Sequence, residues 1–240
     1  MAKQPANNAE TLAKTQQGHA KNARSLVYEH LRNQIIGLYY RPGSAISENE
    51  IAKQLDVSRT PGREALVLLA EEDFVQIVPK VGTFVTDIDM TRVKEAQFLR
   101  EAVEVTSLRQ LKYPLDKKLI ELISGNLDRQ AALEVGDYYE FFYLDEEFHR
   151  LLMALGSHHQ SWDYVVQAKS HLDRARIVGL REIPDNARFS RQHRRIFNAV
   201  LDEDIETAIS EMENHLRIVF DDIRILDQVP AHPFAQYLGR

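Results

Sequence analysis

The sequence predicts a mostly α-helical protein in two parts. A small module of three short helices closed by a β-hairpin comes first, and an antiparallel bundle made only of helices follows. Three observations carry this. Gly and Pro number only 10 and 8 in 240 residues, below the usual shares of about 7% and 5%. Leu, Glu, Arg and Ala, all good helix formers, are abundant. Apolar residues recur at helical spacing along most of the chain, and strand-like runs are confined to Phe74–Val85.

Residues 1–20 are polar, with lysines but no apolar stretch of the kind a secretory signal needs. They are expected to be a loose tail. Leu26, Val27, Leu31, Ile35 and Leu38 define a first helix over Ser25–Leu38, which Arg41-Pro42-Gly43 breaks. Ser47 with Glu50 three residues on is a capping box that opens a second helix through Leu55. Ser58 is placed to cap a third helix running to about Glu71, with Pro61 in the first turn, where a missing N–H does little harm. Phe74–Val78 and Thr83–Val85 flank Pro79-Lys80-Val81-Gly82 as a hairpin. Three helices followed by a hairpin is the order of a winged helix-turn-helix, here residues 21–88. The junction falls near Thr86-Asp87-Ile88-Asp89, and Thr91 can cap the next helix. Six amphipathic helices are expected near 91–113, 116–134, 137–155, 158–180, 185–202 and 204–228, making a domain over 91–228. Residues 229–240 are expected to be a C-terminal tail.

Composition excludes several functions. Hydrophobic residues make up 44% of the chain, enough for a sizeable core. The net charge is −6, from 30 Lys plus Arg against 36 Asp plus Glu, which argues against indiscriminate coating of nucleic acid. Cysteine is absent, so disulfides, zinc ribbons and a thiol nucleophile are excluded, and a reducing cytoplasm is the expected setting. The longest clean apolar run, Ala65–Ala70, is far short of the roughly 20 residues of a membrane span. A soluble cytoplasmic protein is expected.

The second helix of a helix-turn-helix enters the major groove with its N-terminal residues at base edges. Here that end reads Ser58-Arg59-Thr60-Pro61-Gly62-Arg63-Glu64. Ser58 and Thr60 offer hydroxyls, and helix N-terminal amides favour phosphate. Arg59 and Arg63, four apart, share a face, and arginine can fork onto guanine O6 and N7. Lys80 and Gly82 sit at the expected wing tip. A helix with two solvated arginines explains the pair equally well. Over residues 21–82 the Lys and Arg equal the Asp and Glu in number, so any affinity must come from local placement and from two copies.

Ser58–Leu66, Phe74 and Gly82-Thr83-Phe84-Val85 together resemble the winged helix of the GntR superfamily of bacterial regulators. Ile35–Leu38, Arg41-Pro42-Gly43 and Glu50-Ile51-Ala52 through Val57 extend the resemblance over about residues 24–86. Gly62 departs from the family pattern, where a bulkier apolar residue is common, and lowers helix propensity. The resemblance implies that Arg59 and Arg63 read a double-stranded operator, with Ser58 and Thr60 on phosphates and the Lys80–Gly82 wing tip in the adjacent minor groove.

Of nine histidines, three lie on inward stripes of different helices. Asp145 and His149 are i and i+4 on one of them, so they share a face. His193 precedes Ile196, Phe197 and Val200, and His215 lies among Met212, Ile218 and Val219. One carboxylate and three imidazoles inside a bundle suit Zn²⁺, Ni²⁺ or Mn²⁺. Hydrogen-bonded core histidines are the open alternative. His171, near Arg174 and Ile177, is a candidate to line the same cavity. The aromatic run from Tyr138 to Tyr143 reads as core plus pocket wall or dimer surface.

Residues 91–228 are similar to the all-helical ligand domain of the FadR-type subfamily, called FCD. The matching residues are Arg100-Glu101, Asp145 to His149, His193 and His215. The resemblance implies a divalent metal on Asp145, His149, His193 and His215, with open positions for an effector carboxylate that Arg100 can pair bidentately. The reading is a homodimeric, non-enzymatic regulator, expected to be a repressor, controlled by a small carboxylate at the metal. A metal-sensing repressor is the alternative, and a metal-dependent enzyme a more distant one, since no HExxH helix is present.

Overall fold

In the computed structural model, residues 23–183 and 185–227 are described. The expected tails, 1–20 and 229–240, lie outside them. The chain divides after Asp87 into two compact units.

The first unit starts with helix α1, residues 23–36, which buries Val27, Leu31 and Ile35 completely. Then follow β1 (Ala45–Ile46), α2 (Glu48–Gln54), α3 (Arg59–Glu71), β2 (Val75–Val78) and β3 (Gly82–Val85). The Ser47 side chain accepts from the Glu50 amide at 3.4 Å, as a capping box requires. Ser58 occupies the N-cap of α3 with extended backbone, but its side chain makes no capping hydrogen bond. Ala65, Leu66 and Leu69 of α3 face the core, and so does Gly62, where an added Cβ would meet only the Glu48 carbonyl at 3.9 Å. The expected hairpin forms, with Val75 opposite Val85 and Val78 opposite Gly82. Lys80 and Gly82 both take positive φ, 63° and 155°, to turn it. One strand was not anticipated. β1 adds to β3, so the sheet order is β1-β3-β2. It follows the turn at Gly43 (φ 77°), whose amide donates to the Val85 carbonyl at 2.8 Å. Two residues are too short to carry an alternating pattern.

The second unit holds α4 (Met90–Arg109), α5 (Lys117–Ala131), α6 (Tyr138–Leu155), α7 (His159–Ala168), α8 (Ser170–Glu182), α9 (Asn186–Leu201) and α10 (Ile205–Asp227). Asp89, not Thr91, caps α4: its carboxylate accepts from the Thr91 and Arg92 amides at 2.8 and 3.3 Å. The expected helix over 158–180 is two helices, which makes seven among the described residues. The break is at Lys169, whose backbone leaves helical geometry (ψ 14°). Neither Gly nor Pro marks it. Lys169 is instead drawn inward, with Nζ 2.6 Å from Glu146 and 2.7 Å from Asp173, between the rings of Phe142 and Trp162. The main core joins Val105 and Leu108 of α4, Ile123 and Leu127 of α5, Phe148 and Leu152 of α6, Ile196 and Val200 of α9, and Met212 of α10.

Two glycines, one capping the end of α6 and one inside α5, differ in a measurable way. A Cβ at Gly156 would lie 2.2 Å from the Ser107 hydroxyl and 2.9 Å from its carbonyl oxygen, whereas at Gly125 it meets nothing within 4 Å. Gly156→Ala is therefore expected to destabilise by about 1–3 kcal/mol through overpacking. Gly125→Ala is expected to stabilise by about 0.4–1 kcal/mol through the unfolded chain's lost freedom. Urea unfolding of both variants checks the opposite signs.

Candidate metal centre and nucleic-acid interface

Helix α6 carries Asp145 and His149 one turn apart, α9 carries His193 and α10 carries His215, and all four are buried. One ligating atom from each lies within 4.8 Å of every other. The His215 Nε2 is 3.1 Å from Nε2 of both His149 and His193. Asp145 Oδ1 is 3.4 Å from His193 Nε2, and Oδ2 is 3.7 Å from His149 Nε2.

The outward ring nitrogens determine what the inward ones can do. His149 Nδ1 is 2.5 Å from Glu104 Oε2, and Glu104 accepts from Arg100 Nε at 2.6 Å. His193 Nδ1 is 2.7 Å from Gln130 Oε1. The orientation of that amide is fixed, because Gln130 Nε2 donates to Asn126 Oδ1 at 2.7 Å and Asn126 Nδ2 donates to the Leu144 carbonyl at 3.0 Å. His215 Nδ1 is 3.2 Å from Gln192 Oε1. These oxygens accept, so each Nδ1 is the donor, and in a neutral ring the Nε2 then presents a lone pair. The His215 lone pair lies 3.1 Å from those of both His149 and His193, and a cation resolves the repulsion among them.

The charge states suit the same donor set. Burial pushes His193 down to about 3. Burial and the neighbouring His193 and His149 take His215 well below the usual imidazole range. Burial alone would raise Asp145, but Arg176, His149 and His193 outweigh it and hold the carboxyl well below its ordinary value. Neutral imidazoles and an ionised carboxylate are what a divalent cation requires. The residues present therefore fit a metal, with the Nδ1 partners in the role of outer groups that orient ligating histidines.

A small cavity, partly open to solvent, adjoins the cluster. Arg100, Asp145, Arg176 and His215 line one part and Asp222 another. Arg100 is buried, and its Nη2 has no hydrogen-bond partner among the described residues, with the Asp145 carboxylate at 4.0 Å. A buried unsatisfied donor is costly, so this nitrogen favours an anion. His171, also expected here, lies elsewhere: its Nδ1 accepts from the Asp89 amide at 3.1 Å at the start of α4, and it is not a cavity residue.

Sequence reasoning missed Arg176, Glu104, Gln130 and Gln192. Arg176 bridges Asp145 and Glu146, the latter at 2.6 Å, and lies 3.7 Å from Asp173. Glu104 is i+4 from Arg100, a readable spacing, but the glutamines belong to no pattern. Of the aromatic run, Phe141 and Phe142 are buried and Tyr143 is exposed. In the first unit, Ser58, Arg59, Thr60 and Arg63 are all exposed at the start of α3, and Lys80 and Gly82 are exposed at the hairpin turn.

Residues 23–85 match the family described as bacterial regulatory proteins, gntR family, and residues 95–218 match the FCD domain. An HTH-type transcriptional regulator in an unstable DNA locus of Streptomyces ambofaciens is 47% identical over 216 residues, 90% of each chain. The HTH-type transcriptional repressor RspR of Escherichia coli is 30% identical over 223 residues, 92% of this chain and 98% of its own. Among solved structures, E. coli McbR/YncC is similar in fold with a TM-score of 0.70, at 18% identity over 84% of this chain and 98% of its own.

The bridging guanidinium generates a stability prediction. Arg176→Met leaves Asp145 facing the cluster without its nearest cation. Removing one partner of a buried ion pair costs about 3–5 kcal/mol. Urea unfolding of the metal-free variant is expected to show a loss of that order, with secondary structure retained by circular dichroism.

Proposed function

Because the chain belongs to the gntR family of bacterial regulatory proteins and carries an FCD domain behind its winged helix, we propose that it is a homodimeric repressor released from its operator by a small carboxylate bound at a divalent metal. The chain is a DNA-binding transcriptional regulator and not an enzyme. The finer reading rests above all on one observation. Three imidazole lone pairs and the Asp145 carboxylate converge beside a cavity into which a buried, unpartnered Arg100 nitrogen contributes.

In this reading Asp145, His149, His193 and His215 hold Zn²⁺, Ni²⁺ or Mn²⁺, since imidazole and carboxylate suit all three. The bound ion would supply a Lewis-acidic anchor for a carboxylate oxygen. Arg100 would take another, as a planar guanidinium does. Glu104, Gln130 and Gln192 keep the ligating rings in the tautomer that presents Nε2. This reading leaves His171 out of the effector site, since its ring accepts from the Asp89 amide. The fold class of the first unit and the exposure of its polar end support a DNA role for α3. Arg59 and Arg63 would read base edges in the major groove, Ser58 and Thr60 would meet phosphates, and the Lys80–Gly82 turn would enter the minor groove. The uncommitted Ser58 side chain and the exposed arginines favour this over a merely solvated helix. A dimer supplies the two half-site contacts that a module with balanced charge needs. The repressor sense follows the description of RspR. The coupling needed is modest, since about 1–3 kcal/mol changes affinity roughly 5- to 150-fold.

Two measurements test this. Arg63→Ala is expected to lower specific operator affinity by about 1–3 kcal/mol or more at matched salt, read by fluorescence anisotropy, with an unchanged circular dichroism spectrum. Equal affinity would remove Arg63 from the recognition set. His193→Ala is expected to retain no stoichiometric metal after dialysis, by elemental analysis, and to lose the effector's release of DNA. Chelation that changes DNA affinity in the wild type with no acid present would make the ion itself the signal.

A further inference from the structure

The cavity beside the histidine cluster has two chemically different ends. At one, Arg100 and His215 offer a cation and the proposed metal. At the other stands Asp222, buried, with a carboxylate of its own. His215 and Asp222 are seven residues apart on α10, so they share a face about 10.5 Å apart along the axis. Between them the wall is apolar: Ala175, Leu180, Phe189 and Val219.

Asp222 is paired with Arg188. Arg188 reaches it through a single nitrogen, Nη2, which donates to Oδ1 at 2.6 Å and also to Oδ2. An ionised carboxylate has about four acceptor positions, so capacity remains toward the cavity. Access from α8 depends on Gly179. A Cβ there would stand 3.2 Å from Asp222 Oδ2 and 3.5 Å from its Cβ, so glycine is the residue that leaves the carboxylate room at the cavity wall. Burying this carboxylate costs free energy that the Arg188 pair offsets.

We propose that Asp222, given its place by Gly179, selects the effector: a linear acid whose carboxylate meets Arg100 and the metal and whose far end carries a hydrogen-bond donor, a hydroxyl or an ammonium. This rests on the carboxylate-at-metal reading and adds the identity of the far end. The apolar wall disfavours hydroxyls along the middle of the chain, because it gives them no partners. A second carboxylate at the far end would meet Asp222 with like charge.

The test is isothermal titration of metal-loaded full-length protein with matched sets: pentanoate, glutarate, ω-hydroxypentanoate and ω-aminopentanoate, and the corresponding hexanoate, adipate, ω-hydroxyhexanoate and ω-aminohexanoate. One ω-donor acid of a set is expected to bind at least about tenfold tighter than its parent acid, the scale of a hydrogen bond to a charged group. The dicarboxylates are expected to bind no tighter than the parents. In Asp222→Asn that tenfold ratio is expected to shrink and the dicarboxylates to gain on the parents. Gly179→Ala, which crowds Asp222 without removing it, should also lower the ratio, and it serves if the Asn variant does not fold. Parent and ω-donor acids that bind equally, or a dicarboxylate that binds tightest, would overturn the role of Asp222 while leaving the metal-anchored carboxylate intact. If no acid of any set binds loaded protein, both readings fall together.

Discussion

The second unit is organised around three imidazole nitrogens that converge in the middle of a helical bundle, with His215 3.1 Å from each of the other two. A core that merely packed would not choose this. Each ring has its proton committed outward, to Glu104, Gln130 or Gln192, so the inward lone pairs have no donors among themselves. The outer partners are in turn held by others: Arg100 steadies Glu104, and Asn126 with the Leu144 carbonyl fixes the Gln130 amide. The arrangement is therefore determined from outside in. Five of the seven helices of this unit, α4, α5, α6, α9 and α10, contribute a ligating residue or an Nδ1 partner. That accounts for the polar stripe running through a core otherwise built from Leu, Ile, Val and Phe.

Arg176 is the link between this centre and a second buried set of charges. It joins Asp145 to Glu146, while Lys169 holds Glu146 and Asp173. Two cations and three carboxylates lie together with little solvent. Burial pushes Asp173 up, and Glu146 is drawn down to about 2 because Lys169 and Arg176 outweigh its burial. Such a set gives conformational definition more than stability, because desolvation cancels much of the attraction. Its structural consequence is visible in the backbone: α7 ends and α8 begins where Lys169 turns in.

Much of this was legible in the sequence because it is written in local patterns. The capping box at Ser47, the helix from Arg59 with Pro61 in its first turn and the Phe74–Val85 hairpin each rest on residues a few positions apart. The inward stripes of His149, His193 and His215 follow from helical period alone, and the four cluster residues lie on the helices where that period put them. What escaped was decided by tertiary contact. β1 is two residues long and exists because β3 offers it an edge. The α7–α8 break has no Gly or Pro, only a lysine whose partners are distant in sequence. Asp89 displaced Thr91 as the cap because a carboxylate placed there accepts two amides at once. Gln130 and Gln192 look like any surface glutamine until the histidines they face are known. His171 looked like a cavity residue because mid-helix position does not say which neighbour a ring will meet.

Helix α10 ties these observations to a single element. It carries His215 at the centre, Val219 on the apolar wall and Asp222 at the far end, at spacings of four and three. A helix is stiff over two turns, so the interval from His215 to Asp222 is set by backbone geometry and not by side-chain adjustment. The opposite wall is α8, where Arg176, Gly179 and Leu180 present a cation, a gap and an apolar side chain in turn. A molecule between these two helices meets charge at both ends and hydrocarbon between. A ligand that satisfies one end only leaves the other polar group desolvated, which penalises it more than a missing contact at the surface would. Recognition in such a cavity depends on length and on the chemistry of both termini. For that reason a helix that would hold the ion and also measure the ligand is, in the proposed reading, the natural element through which occupancy can be sensed.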